Sequence, residues 1–166
     1  MKAIALLLAL CLLIPAAQAG KHKQKIGLPA AVSPAYVKEC GDCHVAFPPQ
    51  LLSARDWQSV MANLEKHYGD NAEIADKTRQ EITDFLVRNA DSRAYSAGAN
   101  SARWPLPKLT ETDWFRHEHR KIANTLWTDP QVRSASNCAA CHSRAEQGSY
   151  REEELRMPGG ARHGHW

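Results

Sequence analysis

The sequence predicts a small, mostly α-helical domain, and three observations support this fold class. No stretch alternates apolar and polar residues for long enough to indicate a β-strand. Apolar residues instead recur at helical spacing in segments that are separated by Gly- and Pro-containing turns. The 147 residues that follow a predicted signal peptide over 1–19 suit one domain, but large apolar side chains are few for a core of that size. We therefore expect a bound group to fill part of the interior.

The first 19 residues have the organisation of a secretory signal peptide. Lys2 is followed by an apolar run over 3–14, and small residues up to Ala19 provide a cleavage site. The run is shorter than the roughly 20 apolar residues that a membrane span requires. We expect cleavage of 1–19 before Gly20, with no stable membrane insertion afterwards.

Cleavage leaves a domain over 20–158 and a tail over 159–166. The tail is rich in glycine and histidine, and we expect it to be flexible. The formal net charge of the whole sequence is only +3, so charge gives no reason to expect a nucleic-acid partner. The signal peptide predicts that the mature protein is exported from the cytoplasm.

Four cysteines remain after cleavage, and they form two C-x-x-C-H motifs, over 40–44 and 138–142. In a c-type haem site two thiols bind the haem vinyl groups and the next residue is a histidine that ligates the iron. A zinc site does not require a histidine at this offset, and a thioredoxin-like motif needs a βαβ pattern that is not visible here. The motifs predict two covalent haem c groups, attached through Cys40, Cys43, Cys138 and Cys141, with His44 and His142 as iron ligands.

A first helix is predicted over 53–68. Ser53 and Asp56 resemble a capping box at its start, and Gly69 stops it. Met61 lies within the apolar stripe of this helix, where a methionine usually fills the core. The whole stripe is Trp57, Val60, Met61, Leu64 and Tyr68.

Two further helices are predicted, with a long loop between them. The second covers 76–89, with Ile82, Phe85 and Leu86 facing inward. The loop over 91–109 is rich in small and turn-forming residues, and a loop of this length is usually either functional, for which wrapping a haem edge is an option, or disordered. The third helix is predicted over 110–127, with Thr110 as its N-cap.

The sixth ligand of each iron must come from elsewhere in the chain. His67 lies on the flank of the first apolar stripe, where it either ligates the first haem or packs against the core; we favour ligation. On the third helix Phe115 and His119 share one face, whereas His117 points away, so His119 is preferred and His117 is the second choice. Met157 is a further alternative without specific support.

Three stretches together, 57–72, 110–119 and 137–142, resemble the dihaem cytochrome c family. The resemblance implies a small helical domain wrapped around two bis-histidine haems, and a periplasmic electron carrier that is not an enzyme. It assigns His44 and His142 as proximal ligands and His67 and His119 as distal ligands. The implied partners are other redox proteins, such as a membrane b-type cytochrome or a small monohaem cytochrome that binds oxygen.

Two other functions compete with the electron carrier. A haem enzyme such as a dihaem peroxidase, or a gas-binding sensor, needs one iron with an open coordination site. The sequence contains no spare group of acid and base residues that would favour an enzyme. The spin state of the ferric iron and the uptake of carbon monoxide by the ferrous form distinguish these classes.

Overall fold

A computed structural model describes residues 26–91 and 105–160, and these two segments are mostly helical, as predicted. The first segment contains α1 (Pro34–Gly41), α2 (Ala54–Met61) and α3 (Asp76–Asn89), and the second contains α4 (Asp113–Glu118). Short 3-10 turns connect them, at Pro49–Leu51, Leu64–Lys66, Leu109–Glu111, Asn124–Thr128, Cys138–Ala140, Ala145–Gln147, Glu152–Glu154 and Pro158–Gly160. Within these segments β-pairing is limited to isolated bridges. The predicted signal peptide, residues 92–104 of the predicted loop and residues 161–166 of the predicted tail lie outside the described residues.

Helix α1 was not predicted from the sequence, although its start carries a recognisable signal. The Ser33 hydroxyl accepts a hydrogen bond from the Tyr36 backbone N–H, and Pro34 occupies the first helical position. Both residue types are favoured at these positions, because serine satisfies a free N–H group and proline has none to lose. The helix matters for the site because its last turn carries Cys40.

Helix α2 begins where predicted but ends early. The Ser53 hydroxyl accepts the Asp56 backbone N–H at 3.0 Å, as expected for an N-cap. The prediction that the helix continues to Tyr68 was wrong, since it ends at Met61. The Asn63 side-chain amide donates to the Ser59 carbonyl at 2.8 Å, and its backbone leaves the helical region. Such local side-chain bonds compete with the helical ladder.

Helix α3 has the predicted bounds and packs against α2. Ile82 and Leu86 have no exposed surface, and Phe85 is buried beside them. These three residues face the core cluster that α1 and α2 complete, which includes Met61 as expected. The first segment therefore supplies most of one apolar core, which Leu106 of the second segment completes.

The predicted third helix is broken into shorter elements. The N-cap of α4 lies two residues later than expected, because the Thr112 hydroxyl, and not that of Thr110, accepts the Phe115 backbone N–H. The helix ends at Glu118, and the chain then turns so that the Trp127 ring lies 5.8 Å from the His119 ring. A continuous helix would separate these two residues by about 12 Å along its axis, at 1.5 Å per residue.

The buried apolar side chains are unevenly distributed. Prolines aside, eleven of the fifteen buried hydrophobic residues in the described part lie in 26–91 and only four lie in 105–160. The second segment consists mainly of turns that carry few core residues. Neither described segment has a helix with the length and apolar character that crossing a membrane requires.

Candidate haem-binding sites

The first C-x-x-C-H motif spans the end of α1 and the turn that follows it. Cys40 lies in the last helical turn, Asp42 is the C-cap residue, and Cys43 and His44 come next. The His44 Nδ1 lies 2.8 Å from the Val45 carbonyl oxygen, so an N–H at this position donates to that carbonyl. The Nε2 atom of the same ring is then the one with a free lone pair.

His67 faces His44 across the first site. The two ring centroids are 6.3 Å apart and the ring planes differ by 20°. His67 lies in a tight turn, in which the Asp70 N–H donates to the His67 carbonyl at 3.1 Å. Tyr68 and Gly69 take left-handed conformations in this turn, with φ of 53° and 111°. The strained turn thus replaces the predicted helix as the element that directs His67 inward.

The second motif forms a 3-10 turn in which both cysteines and the histidine are close in space. The His142 N–H donates to the Cys138 carbonyl at 2.8 Å, and the Cys141 N–H donates to the same carbonyl at 3.2 Å. The Arg156 N–H donates to the Cys141 carbonyl at 2.8 Å, and Leu155 pairs with His142 as an isolated bridge. Backbone hydrogen bonds from the segment that follows the motif therefore hold the motif in place.

His119 faces His142 across the second site. The ring centroids are again 6.3 Å apart, but here the ring planes differ by 79°. His119 caps α4, its ring stacks on Phe115 at 4.0 Å, and its Nδ1 lies 2.9 Å from the Phe115 carbonyl oxygen. His117 is exposed and lies beside Arg120, so the structure brings His119 and not His117 opposite the motif histidine.

The two motifs are neighbours in space. A cavity of about 140 Å³ is lined by Cys43, His44 and Val45 from the first motif region and by Ser136, Asn137 and Cys138 from the second. Residues almost one hundred positions apart in the sequence therefore border the same space. The two sites lie next to each other.

The spacing of the imidazoles fits an iron ion between them. A ligating imidazole nitrogen lies about 2 Å from a first-row metal and the ring centroid about 1 Å further back, so two rings on one metal have centroids about 6 Å apart. Both pairs have this separation. The buried Nδ1 atoms of His67 and His142 also have no hydrogen-bond partner in the described part of the chain. The residues present therefore fit two haems, each between two histidines.

Burial favours the neutral form of three of the four rings, and this is the form in which a ring nitrogen can bind a metal. Burial, aided by the nearby His44, lowers the pKa of His67. Burial also lowers the pKa of His119. Burial, and then the neighbouring His119, lowers the pKa of His142 to about 4.

The cysteines are unlike those of a redox-active dithiol. None of the four forms a disulfide. Burial raises the pKa of Cys40 and of Cys138 to about 11, and it also raises the pKa of Cys141. A reactive dithiol needs a lowered thiol pKa, because the thiolate is the nucleophile. The thiol environment therefore disfavours the thioredoxin-like interpretation.

Several residues around the imidazoles were missed in the sequence. Phe47 stacks on His44 at 4.7 Å, and Tyr150 lies 5.2 Å from His142, both measured between ring centroids. Tyr36, one helical turn before Cys40, could have been found from the Ser-Pro start of α1. The positions of Phe47 and Tyr150 depend on turns that have no comparable sequence signal.

Comparisons with known proteins indicate the family to which the chain belongs. The profile of the dihaem cytochrome c family matches residues 36–150. The chain is similar to the X-ray structure of a diheme cytochrome type c from Shewanella baltica OS155, with 35% identity and a TM-score of 0.63 over 76% of this chain and 93% of that one. It is also similar to a diheme cytochrome c from Rhodobacter sphaeroides, with 35% identity and a TM-score of 0.60 over 72% of this chain and 98% of that one. No curated protein sequence matched the chain.

Proposed function

The chain belongs to the dihaem cytochrome c family, and from this we propose that it is a periplasmic electron carrier with two histidine ligands on each haem iron. The family membership shows that the protein has two c-type haems and that its function is electron transfer. The predicted helical domain wrapped around two haems is thereby confirmed. The location, the ligands and the partners are the proposed part.

Each part of the site has a defined role in this proposal. When bound, the haem irons supply one-electron redox chemistry. Cys40 and Cys43 hold the first group, and Cys138 and Cys141 hold the second. His44 and His142 are the proximal ligands, and His67 and His119 are the distal ligands.

One observation carries the proposal of two histidines on each iron. In both sites the motif histidine faces a second imidazole at the same centroid separation of 6.3 Å. Two unrelated elements, a strained turn and the C-terminal end of α4, produce this separation. Bis-histidine ligation predicts lower reduction potentials than histidine–methionine ligation, because a methionine ligand raises the potential.

Full ligation by the protein also favours a carrier over a catalyst. With both axial positions filled, a peroxide or a gas must displace a histidine before it reaches the iron. A carrier instead exposes an edge of its cofactor to partners through small, short-lived contacts. The proposed partners are other redox proteins, such as a membrane b-type cytochrome or a small monohaem cytochrome that binds oxygen.

The predicted signal peptide supports the proposed location. The apolar run over 3–14 and the small residues before Gly20 suit export, and covalent haem c is consistent with it. Cell fractionation with sequencing of the mature N-terminus tests this part. We expect periplasmic protein that begins at Gly20, and a cytoplasmic protein that retains Met1 would contradict it.

Stopped-flow mixing tests the carrier against the enzyme. We expect the protein to exchange electrons quickly with a monohaem c-type cytochrome and to show negligible turnover of hydrogen peroxide. Substantial peroxide turnover by the native protein would support a haem enzyme instead.

A further inference from the structure

We propose that Tyr36 is a positioning residue for the first haem site, where its hydroxyl sets the orientation of the His44 imidazole through Phe47. This inference rests on the proposed ligation of the first iron by His44 and His67. It concerns side chains outside the C-x-x-C-H motif, and it starts from a hydrogen bond that closes the loop carrying that motif.

The hydrogen bond joins α1 to the residue beyond the motif. The Tyr36 hydroxyl donates to the Phe47 carbonyl oxygen at 2.5 Å. Tyr36 is only 2% exposed, so water does not compete for the hydroxyl. Cys40 lies four residues after Tyr36 on the same face of α1. One side chain therefore fixes both ends of the loop that contains Cys40, Cys43 and His44.

The position of Phe47 affects the His44 imidazole because the two rings stack. The Phe47 ring lies on the His44 ring at 4.7 Å with the planes 21° apart. The His44 Nδ1 is also held by the Val45 carbonyl, at 2.8 Å. These two contacts leave the ring little freedom to rotate. The second shell around a ligating histidine commonly fixes its orientation in this way and tunes the metal.

The expected consequence is a defined angle between the two imidazole planes. His44 and His67 differ by 20°, whereas His119 and His142 differ by 79°. The electron paramagnetic resonance of a low-spin ferric haem depends on this angle, so the two haems give distinguishable signals. The second haem is then an internal control in every experiment on the first.

The test is the variant Tyr36→Phe, which keeps the ring in the core and removes only the hydroxyl. We expect the low-spin signal of the near-parallel pair to shift or broaden and the midpoint potential of that haem to move. The signal and the potential of the second haem stay unchanged. Phe85→Leu is the matched control, because the Phe85 and Tyr36 ring centroids lie 5.3 Å apart and this substitution leaves the Tyr36 hydroxyl present. We expect Phe85→Leu to lower the melting temperature and to leave the low-spin signals of both haems unchanged.

The outcomes separate the inference from the proposed function. If the wild-type protein lacks two low-spin bis-histidine signals, the proposed ligation fails. If the wild type shows them and Tyr36→Phe leaves the first one unchanged, the positioning role is wrong. If Tyr36→Phe does not fold, Phe47→Leu decides, since it removes the stacking and keeps the carbonyl acceptor. An unchanged first signal and potential in Phe47→Leu also overturns the inference.

Discussion

At the scale of single residues, each candidate ligand pair combines two kinds of histidine. In each pair one ring, His44 or His119, has its Nδ1 beside a backbone carbonyl oxygen. The other ring, His67 or His142, has a buried Nδ1 without a partner in the described part of the chain. A carbonyl that holds Nδ1–H fixes the tautomer, which directs the Nε2 lone pair toward a metal. One ring of each pair is therefore oriented by the protein alone.

Replacement of the distal histidines tests the ligand assignment. We expect His67→Ala to leave the first iron with one protein ligand and His119→Ala to do the same for the second iron. In each variant one of the two haems becomes high-spin and binds carbon monoxide, and the other keeps its low-spin spectrum. Absorption spectroscopy with and without carbon monoxide measures this.

His117→Ala is the matched control for His119→Ala, because His117 is exposed two positions away on the same helix. Both spectra should remain those of the wild type. A high-spin haem in His117→Ala, together with a normal spectrum in His119→Ala, would show that the ligand is His117.

At the scale of elements, the sequence predicted those helices whose ends are decided locally. The Ser53 cap and the bounds of α3 follow from nearby residues. The early end of α2 places His67 against His44, and the break after α4 places Trp127 against His119. Helical spacing cannot reveal such breaks, because an uninterrupted helix satisfies the same local pattern.

The candidate site was predictable to a similar extent. The spacing of the C-x-x-C-H motifs identifies both attachment sites, since that chemistry requires adjacent residues. The apolar faces pointed to His67 and His119 even though the helices expected there are shorter. Tyr36 and Phe47 were missed because their hydrogen bond joins residues eleven positions apart across a turn.

A tight crossing of two segments joins the beginning of the domain to the region after the second motif. The Leu28 N–H donates to the Gly148 carbonyl at 3.3 Å, and Gly27 pairs with Ser149 as an isolated bridge. Gly148 has a φ of +73°, and a Cβ there would lie 2.5 Å from the Leu28 side chain. The crossing therefore needs a glycine for both its conformation and its space.

Gly148→Ala is expected to lower the free energy of unfolding by about 1–3 kcal/mol, from the backbone strain and the clash with Leu28. Chemical denaturation measures the change. Gln147→Ala is the control, because Gln147 is exposed in the same turn and its substitution changes neither the left-handed residue nor the contact with Leu28. Equal stability of Gly148→Ala and the wild type would mean that the two segments do not cross this closely.

At the scale of the whole molecule, residues 26–91 and residues 105–160 differ in how many buried apolar side chains stabilise them. The first half contains α1, α2 and α3 around a common apolar cluster. The described residues of 105–160 include four buried hydrophobic side chains apart from proline, and one of them, Leu106, belongs to the apolar cluster of α1, α2 and α3. We infer that the second haem supplies much of the apolar interior that residues 105–160 lack.

Variants with a single haem test this difference. Without Cys138 and Cys141, replaced by serine, we expect residues 105–160 to lose protection in hydrogen exchange while α2 and α3 keep theirs. The reciprocal variant, Cys40→Ser with Cys43→Ser, should retain protection in α3 because Ile82 and Leu86 remain fully buried. Equal loss of protection in both halves of both variants would contradict the inference.

The central claim is that the protein fills both axial positions on both irons and therefore carries electrons without binding substrates at the metal. Addition of carbon monoxide to the fully reduced native protein tests it most directly. We expect the absorption spectrum to stay unchanged on mixing, because the proposed ligands His67 and His119 would occupy the positions that carbon monoxide needs. Rapid formation of a carbon monoxide complex by either haem of the untreated protein would contradict it.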